Sequence, residues 1–347
     1  MAEASKKLEQ YCKAMSLHYQ LLGAPGEDNA LFVKVDGGQA QSRILFDCGE
    51  NTVSQLPFSE VYALESVCFS HLHMDHIAGF DGLFRQLYPR LERPNLIYGP
   101  PQTRAILQRR LQGFLWNLSG EDPQAAWTVV DVTETHAHSS QFWLREAFAL
   151  EHPMAERALE NAVLLEHPLY TLEVRTLDHL TPSLAYLLRE TERVNVNMQA
   201  LSELNLKPGA WLAALKAGTL QANMLEGQRI THEVEDLERL LLKRTPGESI
   251  AYLTDFLLDE KALSRLVPWL SGVTTLVCEC QYLAVDCELA TRNYHMFTLQ
   301  VAELAARAKV SDLILMHVSS RYSALEREEL LAEVRSIFPH ARFPESW

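Results

Sequence analysis

The chain has 347 residues, of which 47% are hydrophobic and 22% charged, and it carries a formal net charge of −14 at pH 7. This is an ordinary composition for a globular protein of one or two domains. Surfaces that bind nucleic acid usually show an excess of Lys and Arg, so the net charge argues against general nucleic-acid binding. Bound metal ions would add positive charge that the composition does not count.

The first ten residues, Met1 to Gln10, are charged and polar, so we expect no signal peptide. No run of about 18 apolar residues follows, which predicts a chain that does not span a membrane. The six cysteines fit neither a disulfide framework nor a zinc-finger pattern. A reducing cytoplasm is therefore the predicted compartment.

Apolar segments separated by turns predict sheets, with helices between the later strands. In chain order, strands are predicted at 17–22, 30–35, 43–46, 67–70, 96–100, 172–177, 249–253, 273–278 and 313–316. Helices are predicted at 81–91, 102–118, 259–270, 299–309 and 325–338. This alternation indicates that helices cover the sheets. The stretch 190–233 is the least sheet-like, and we predict that it is an insertion.

The segment His71-Leu72-His73-Met74-Asp75-His76 places three imidazoles and a carboxylate directly after an apolar strand. His71 and His73 are two residues apart, so on an extended chain their side chains point the same way. Asp75 and His76 follow where the chain turns and can face a second point nearby. Imidazole and carboxylate ligands without a thiolate suit divalent metals, zinc first. The segment therefore predicts two metals, an arrangement that clamps both oxygens of a displacement at phosphorus.

Four later strands each end at an acidic residue or a histidine. These residues are His179, Asp255, Glu279 and His317. Alone, each is weak support for a metal site, because an Asp after a strand is usually a turn or cap residue. For His179, Asp255 and His317, the order after the His71–His76 segment is what makes them candidate ligands.

Together these motifs resemble the ribonuclease Z family, the tRNA 3′-processing endoribonucleases of the metallo-β-lactamase superfamily. The resemblance runs through most of the chain. The matching segments are Phe46-Asp47-Cys48-Gly49-Glu50, His71 to His76 with Gly79, Tyr98-Gly99-Pro100, His179 with Leu184 and Tyr186, Leu206 to Gly218, Glu279 with His295, and Leu315 to Tyr322.

The resemblance implies an α/β (α+β) fold, the four-layer αββα sandwich of the metallo-β-lactamases. Two mixed sheets would lie face to face, with helices outside and the metals at one edge. We expect residues 1–347 to form a single domain of this kind, in which 190–233 is an arm-like insertion that grips tRNA. The resemblance also implies a homodimer and an RNA partner, pre-tRNA.

The resemblance further implies a role for each candidate site residue. His71, His73 and His179 would hold one Zn²⁺; Asp75, His76 and His317 would hold a second; and Asp255 would bridge both. Mn²⁺ or another divalent metal is the alternative to zinc. Water activated by the metals would attack phosphorus, and Asp75 would orient or deprotonate that water. His295, oriented by Glu279, would protonate the leaving 3′ oxygen.

Some family patterns are altered in this chain, and none of the changes removes a metal ligand. Because the changes concern substrate handling, two alternatives stay open: a diverged hydrolase of small phosphodiesters or other esters, and a non-catalytic metal-binding scaffold. The altered segments, each with the usual family pattern after it, are Pro208-Gly209-Ala210 (Pro-Gly-Pro), Ala185-Tyr186-Leu187 (Gly-Tyr-Arg), Thr254-Asp255-Phe256 (Gly-Asp-Thr) and His295-Met296-Phe297 (His-Ser-Thr).

Overall fold

Strands and helices alternate along the chain in a computed structural model that describes residues 17–117, 124–221 and 234–347. The expectation for Met1 to Gln10 lies outside these residues. The strands are β1 (Leu17–Leu22), β2 (Ala30–Asp36), β3 (Gln41–Phe46), β4 (Ser66–Cys68), β5 (Asn95–Gly99), β6 (Ala126–Val132), β7 (His136–Trp143), β8 (His152–Pro153), β9 (Arg157–Ala158), β10 (Val163–His167), β11 (Tyr170–Asp178), β12 (Pro182–Glu190), β13 (Arg193–Val196), β14 (Leu242–Thr245), β15 (Ser249–Leu253), β16 (Thr275–Glu279), β17 (Asp312–Met316) and β18 (Ala341–Arg342). The α-helices are α1 (Phe58–Tyr62), α2 (Met74–Ile77), α3 (Phe80–Leu87), α4 (Thr103–Leu111), α5 (Met198–Glu203), α6 (Trp211–Lys216), α7 (Val234–Leu241), α8 (Glu260–Trp269), α9 (Cys287–Arg292), α10 (Thr298–Ala308) and α11 (Ala324–Arg335).

The chain separates into two compact units. The first consists of the residues up to Arg189 together with Glu248–Trp347, and the second is Glu190–Gly247. The predicted insertion, 190–233, falls within the second unit, and its residues 222–233 lie outside the described part of the chain.

Both large sheets of the first unit are mixed. In one, the strands follow chain order from β1 to β8, with β9 also paired to β7. Its strands β3 to β6 are parallel to one another, and the flanking pairs are antiparallel. In the other, the order is β10-β11-β12-β15-β16-β17-β18, and β15 to β18 are parallel. Parallel neighbours end at the same edge of a sheet, so the residues after β15, β16 and β17 are brought together.

Apolar side chains explain the layering of the first unit. Phe46 and Tyr98 from one sheet pack with Tyr186, Tyr252 and Val277 from the other, which places the sheets face to face. Along β16 the faces alternate, because the neighbours of Val277 on either side, Leu276 and Cys278, join a second core with α8, α10 and α11. Helices α1, α3 and α4 form a third core with the outer face of the first sheet. The order helix, sheet, sheet, helix confirms the predicted αββα sandwich.

Two predicted helices end well before their predicted ends. Helix α3, predicted to reach residue 91, ends at Leu87, and α4, predicted over 102–118, ends at Leu111. Gly113 follows this end, and glycine is poor in helix interiors and common just after them. Phe114 and Leu115 therefore leave the apolar face on which the spacing had placed them, and both are exposed.

Among the helices of the described residues, none has the length and apolar character that a membrane span requires.

The second unit has a small core of its own. Helices α5, α6 and α7 accompany an antiparallel pair of strands, β13 and β14, whose end residues Arg193 and Thr245 are partners in the pairing. The side chain of Asn197 caps α5 by accepting a hydrogen bond from the Ala200 amide at 3.2 Å. The core of this unit contains Leu201, Leu206, Trp211, Leu215, Leu220, Leu237 and Leu241.

Candidate metal centre

The predicted ligands come from loops that follow strands of both sheets. In the first sheet, the chain leaves β4 and passes through His71 and His73 into the short helix α2, which carries Asp75 and His76. In the second sheet, His179 and His317 stand directly after β11 and β17, and Asp255 stands two residues after the end of β15. The structure brings all seven predicted metal residues together in two adjoining groups: His71, His73 and His179; and Asp75, His76, Asp255 and His317.

The first group consists of three imidazoles. His71 Nε2 lies 3.1 Å from His73 Nδ1, and the ring centroids of His71 and His179 are 5.1 Å apart. His71 and His179 are buried, whereas His73 is exposed. The nitrogen atoms of this group therefore converge on one point, and the group is open to solvent on the side of His73.

The second group combines imidazoles and carboxylates. His76 Nε2 lies 3.5 Å from both Asp75 Oδ2 and Asp255 Oδ2. His317 Nε2 lies 3.2 Å from Asp75 Oδ2, and its Nδ1 lies 3.4 Å from Asp255 Oδ1. Three of these four residues are buried, and Asp75 is partly exposed.

Asp255 lies between the two groups. Its Oδ2 is 3.8 Å from His71 Nε2 and 3.7 Å from His179 Nε2, and it is also close to His76 of the second group. One buried carboxylate oxygen thus faces nitrogen atoms of both groups. This is the place that the sequence analysis expected for a bridging ligand, and bridging itself stays a prediction.

The outward-facing nitrogen of several histidines is held by a hydrogen-bond partner. His76 Nδ1 bonds to Asp47 Oδ2 at 2.8 Å, His179 Nδ1 donates to the carbonyl oxygen of Tyr294 at 2.7 Å, and His71 Nδ1 lies 3.1 Å from Ser70 Oγ. These partners orient the rings and direct the other nitrogen inward, as is usual for metal-binding histidines.

Two inward-facing nitrogens are left over. Among the described residues, the buried atoms His76 Nε2 and His317 Nδ1 have no hydrogen-bond partner. An unpaired buried polar atom is costly, and here both atoms face the Asp255 carboxylate. A divalent metal would satisfy them, so the residues present fit the metal ions that the sequence analysis predicted.

Asp47 lies behind the ligand candidates, and its contacts with them were not predicted. It is fully buried, with a φ of 59° in the left-handed region. Its carboxylate accepts hydrogen bonds from the Ser70 amide and hydroxyl at 2.7 Å each, from the Tyr252 hydroxyl at 2.8 Å, and from His76. The available signal was an Asp directly after β3, the neighbour of the strand that precedes His71. Tyr252 could not be told from a core aromatic by sequence.

Burial and neighbouring charges set the protonation of the centre. Burial lowers the pKa of His71 to about 2, so this imidazole is neutral. Burial alone would raise the pKa of Asp255, but His317 and His76 hold that pKa well below its usual value. Burial also opposes ionisation of Asp75, yet the hydrogen bond with His317 and the nearby imidazole of His76 lower its pKa. Both carboxylates are therefore ionised and can attract a cation.

The predicted catalytic pair lies beside the second group. His295 Nδ1 is 2.8 Å from Glu279 Oε2, and the other carboxylate oxygen of Glu279 accepts the Met296 amide at 2.9 Å. His295 Nδ1 is also 3.8 Å from Asp255 Oδ2. Burial alone would lower the pKa of His295, but the Glu279 carboxylate raises it above its usual value. The predicted catalytic residues Asp75, Glu279 and His295 thus surround the same centre as the metal candidates.

Comparisons with known proteins agree with this geometry. A family model described as a beta-lactamase superfamily domain matches residues 42–161. A protein named ribonuclease Z from Deinococcus radiodurans is 46% identical over 327 residues, which cover 94% of this chain and 97% of that relative.

Solved structures resemble the fold. The metallo-beta-lactamase fold protein YhfI from Bacillus subtilis has a TM-score of 0.54 at 15% identity, covering 94% of each chain. Human tRNase Z, short form, has a TM-score of 0.51 at 16% identity, covering 88% of this chain and 93% of that one. These two structures support the sandwich fold, and the sequence identity to the Deinococcus protein decides the family. The chain belongs to the ribonuclease Z family of the metallo-β-lactamase superfamily.

Proposed function

We propose that this protein is a zinc-dependent endoribonuclease that removes the 3′ trailer from pre-tRNA, with His71, His73, Asp75, His76, His179, Asp255 and His317 as its metal ligands. Family membership confirms the predicted enzyme class, a hydrolytic nuclease of the ribonuclease Z type. The metal identity, the ligand roles and the pre-tRNA substrate are the parts of this statement that we propose.

The observation that carries the proposal is the His295–Glu279 pair beside the ligand groups. A ligand cluster by itself suits many hydrolytic reactions. Cleavage of RNA with a free 3′ hydroxyl as product also needs a proton for the leaving oxygen, which is a poor leaving group. A buried carboxylate that holds a partly buried imidazole at the edge of the centre supplies that need.

His295 is the proposed general acid. Glu279 holds its Nδ1, which leaves Nε2 free to face a substrate oxygen. Because the pKa of His295 is raised, the ring carries a proton near neutral pH and can donate it to the leaving 3′ oxygen. The products would be tRNA with a 3′ hydroxyl and a trailer with a 5′ phosphate.

Asp75 is proposed to orient the attacking water. His317 Nε2 and His76 Nε2 hold its carboxylate at 3.2 and 3.5 Å, and its side chain is 43% exposed, so it reaches solvent at the mouth of the centre. Bound metal ions would lower the pKa of water and withdraw charge from the phosphate oxygens. The ionised carboxylate would accept a hydrogen bond from the water and align it with phosphorus.

The second unit, Glu190–Gly247, is proposed to be the arm that grips tRNA, as the resemblance of Leu206 to Gly218 implied. Its separate small core supports a role as a module apart from the chemistry. A homodimer and a cytoplasmic location complete the proposal. The described cysteines are free thiols, which suits a reducing compartment.

The test is cleavage of a pre-tRNA that carries a 3′ trailer, by zinc-loaded and chelator-treated protein. We expect one cut near the end of the acceptor stem, with a 3′ hydroxyl on the tRNA, and loss of the cut after chelation. An RNA hairpin of equal length without the tRNA fold is the control. A zinc-loaded protein that cuts neither RNA, or cuts both equally, would contradict the proposal.

A second candidate function is hydrolysis of small phosphodiesters. The net charge of −14 and the altered arm pattern at Pro208-Gly209-Ala210 favour it. Turnover of bis-p-nitrophenyl phosphate together with failure on pre-tRNA would select this candidate.

A further inference from the structure

Thr254 stands next to the central carboxylate of the metal groups. It follows β15 and immediately precedes Asp255, and both residues are 2% exposed. Its hydroxyl donates a hydrogen bond to Asp255 Oδ1 at 2.7 Å. A bond of this length to an ionised carboxylate is a strong one.

The two oxygens of Asp255 have different surroundings. Oδ1 receives the Thr254 hydroxyl and faces His317 Nδ1 at 3.4 Å. Oδ2 is within 3.5 to 3.8 Å of nitrogens from both groups: His71, His76 and His179. A half-turn of the carboxylate would exchange these surroundings, and the Thr254 hydrogen bond opposes intermediate orientations.

The residues on both sides of Asp255 depart from the family pattern. The pattern Gly-Asp-Thr places a threonine after the aspartate, whereas this chain has Thr254-Asp255-Phe256. Phe256 is fully buried and belongs to the apolar core beneath α8, α10 and α11. In this chain the residue after the aspartate has no hydroxyl, and the hydroxyl that reaches the carboxylate belongs to the residue before it.

We propose that Thr254 is a positioning residue for the metal centre: its hydroxyl fixes the Asp255 carboxylate so that Oδ2 is the oxygen offered to both ligand groups. The inference rests on the proposed function, because it assigns the groups to metal binding. An oxygen that accepts a hydrogen bond donates less charge to a cation, so the bond at Oδ1 also makes Oδ2 the better ligand. Loss of partners of this kind typically lowers metal affinity by about 10–100-fold.

The experiment compares Thr254→Val, which keeps the shape and removes the hydroxyl, with Thr254→Ser, which keeps the hydroxyl. The matched control is Thr298→Val. Thr298 is also fully buried, and its hydroxyl also donates to a carboxylate, that of Glu333, outside the ligand groups. For each full-length protein, Zn²⁺ affinity is measured by competition with a chromophoric chelator, and the absorption spectrum is recorded with Co²⁺ as the bound ion. Melting of the metal-free proteins measures the structural cost.

We expect Thr254→Val to weaken Zn²⁺ binding by about tenfold or more and to change the Co²⁺ spectrum. Thr254→Ser and Thr298→Val should keep the parent affinity and spectrum. If Thr254→Val does not fold, Thr254→Ala replaces it. The inference is overturned if removal of the hydroxyl leaves affinity and spectrum unchanged, if serine fails as badly as valine, or if Thr298→Val loses metal equally. A parent protein that binds no metal would overturn the proposed function itself.

Discussion

The two compact units of this chain hold their polar side chains very differently. In the first, His71, His76 and His179 are each fixed by a hydrogen bond on the side away from the centre. In the second, Lys216 is exposed on a unit with a small core. Chemistry at phosphorus requires groups held to a fraction of an ångström, which strand ends between packed sheets provide. Recognition of a large RNA needs a surface, and a small helical unit is sufficient for that.

The largest expected effect is at the central carboxylate. Asp255→Ala should remove metal binding and reduce pre-tRNA cleavage by about 10³-fold or more, because metal ions supply several kcal/mol of transition-state stabilisation. Affinity for pre-tRNA, measured by gel shift, should change little if the second unit carries recognition. Equal loss of cleavage and affinity would contradict the division of labour between the units.

The next effect concerns the proposed acid. His295→Ala should lower pre-tRNA cleavage by about 10²–10⁴-fold, the usual contribution of a general acid, with unchanged zinc content. Hydrolysis of bis-p-nitrophenyl phosphate should fall much less, because p-nitrophenolate leaves without a proton. Glu279→Gln should show the same selectivity in weaker form. If both substrates suffer equally, His295 is not the acid.

Removal of the second unit tests whether that unit contributes RNA binding without contributing to the chemical step. Arg193 and Thr245 are paired at the end of the antiparallel strands β13 and β14 where the chain enters and leaves the second unit. A short Gly-Ser turn can therefore join them in place of residues 194–244. This variant should lose about 10²-fold in kcat/KM on pre-tRNA, mainly through KM, as expected when binding is removed without changing the chemical step. Turnover of bis-p-nitrophenyl phosphate is the control and should persist. Unaltered pre-tRNA cleavage would contradict the proposal that the second unit binds tRNA.

The smallest expected effect is at Tyr252. Tyr252→Phe deletes one of four hydrogen bonds to Asp47 and leaves the carboxylate held by Ser70 and His76. We expect a loss of about 1 kcal/mol in the free energy of unfolding, measured by urea denaturation of the metal-free protein. Zinc affinity should fall by about tenfold, the low end for a change behind a ligand. Tyr186→Phe is the matched control, because the Tyr186 hydroxyl donates to the Phe69 carbonyl and not to Asp47. An identical loss of zinc affinity in both variants would contradict the specific role of Tyr252.

Sequence patterns predicted the parts of the site that depend on order along the chain. The apolar strand before His71, and the strands ending near Asp255 and His317, indicated sheets covered by helices and converging side chains. The resemblance to the ribonuclease Z family implied the αββα sandwich, and the fold is as predicted. The hydrogen bonds behind the ligands were not predicted, since Asp47 and Tyr252 meet only when the two sheets pack. Asp47 belongs to a segment that matches the family pattern, but the order of residues along the chain does not show that Tyr252 reaches it.

The end of α4 shows the same limit in an apolar region. Helical spacing placed Phe114 and Leu115 on the buried face, but the chain leaves the helix after Leu111 and both are exposed. The spacing of apolar residues predicts which side chains share a helix face only for residues that lie within the helix. Local chemistry at Gly113 decided where it ends.

The proposed ligands come from distant parts of the chain, and this has a consequence for folding. His71 follows β4, near the amino end, and His317 follows β17, near the carboxyl end. During synthesis the first histidines emerge long before their partners, so the complete set of donors exists only once the last parallel strands have added to the second sheet. Binding of metal by the complete set of donors would therefore indicate that folding of the first unit is complete. By mass action, free metal at 100 times its dissociation constant adds about 2.7 kcal/mol to the stability of that finished state.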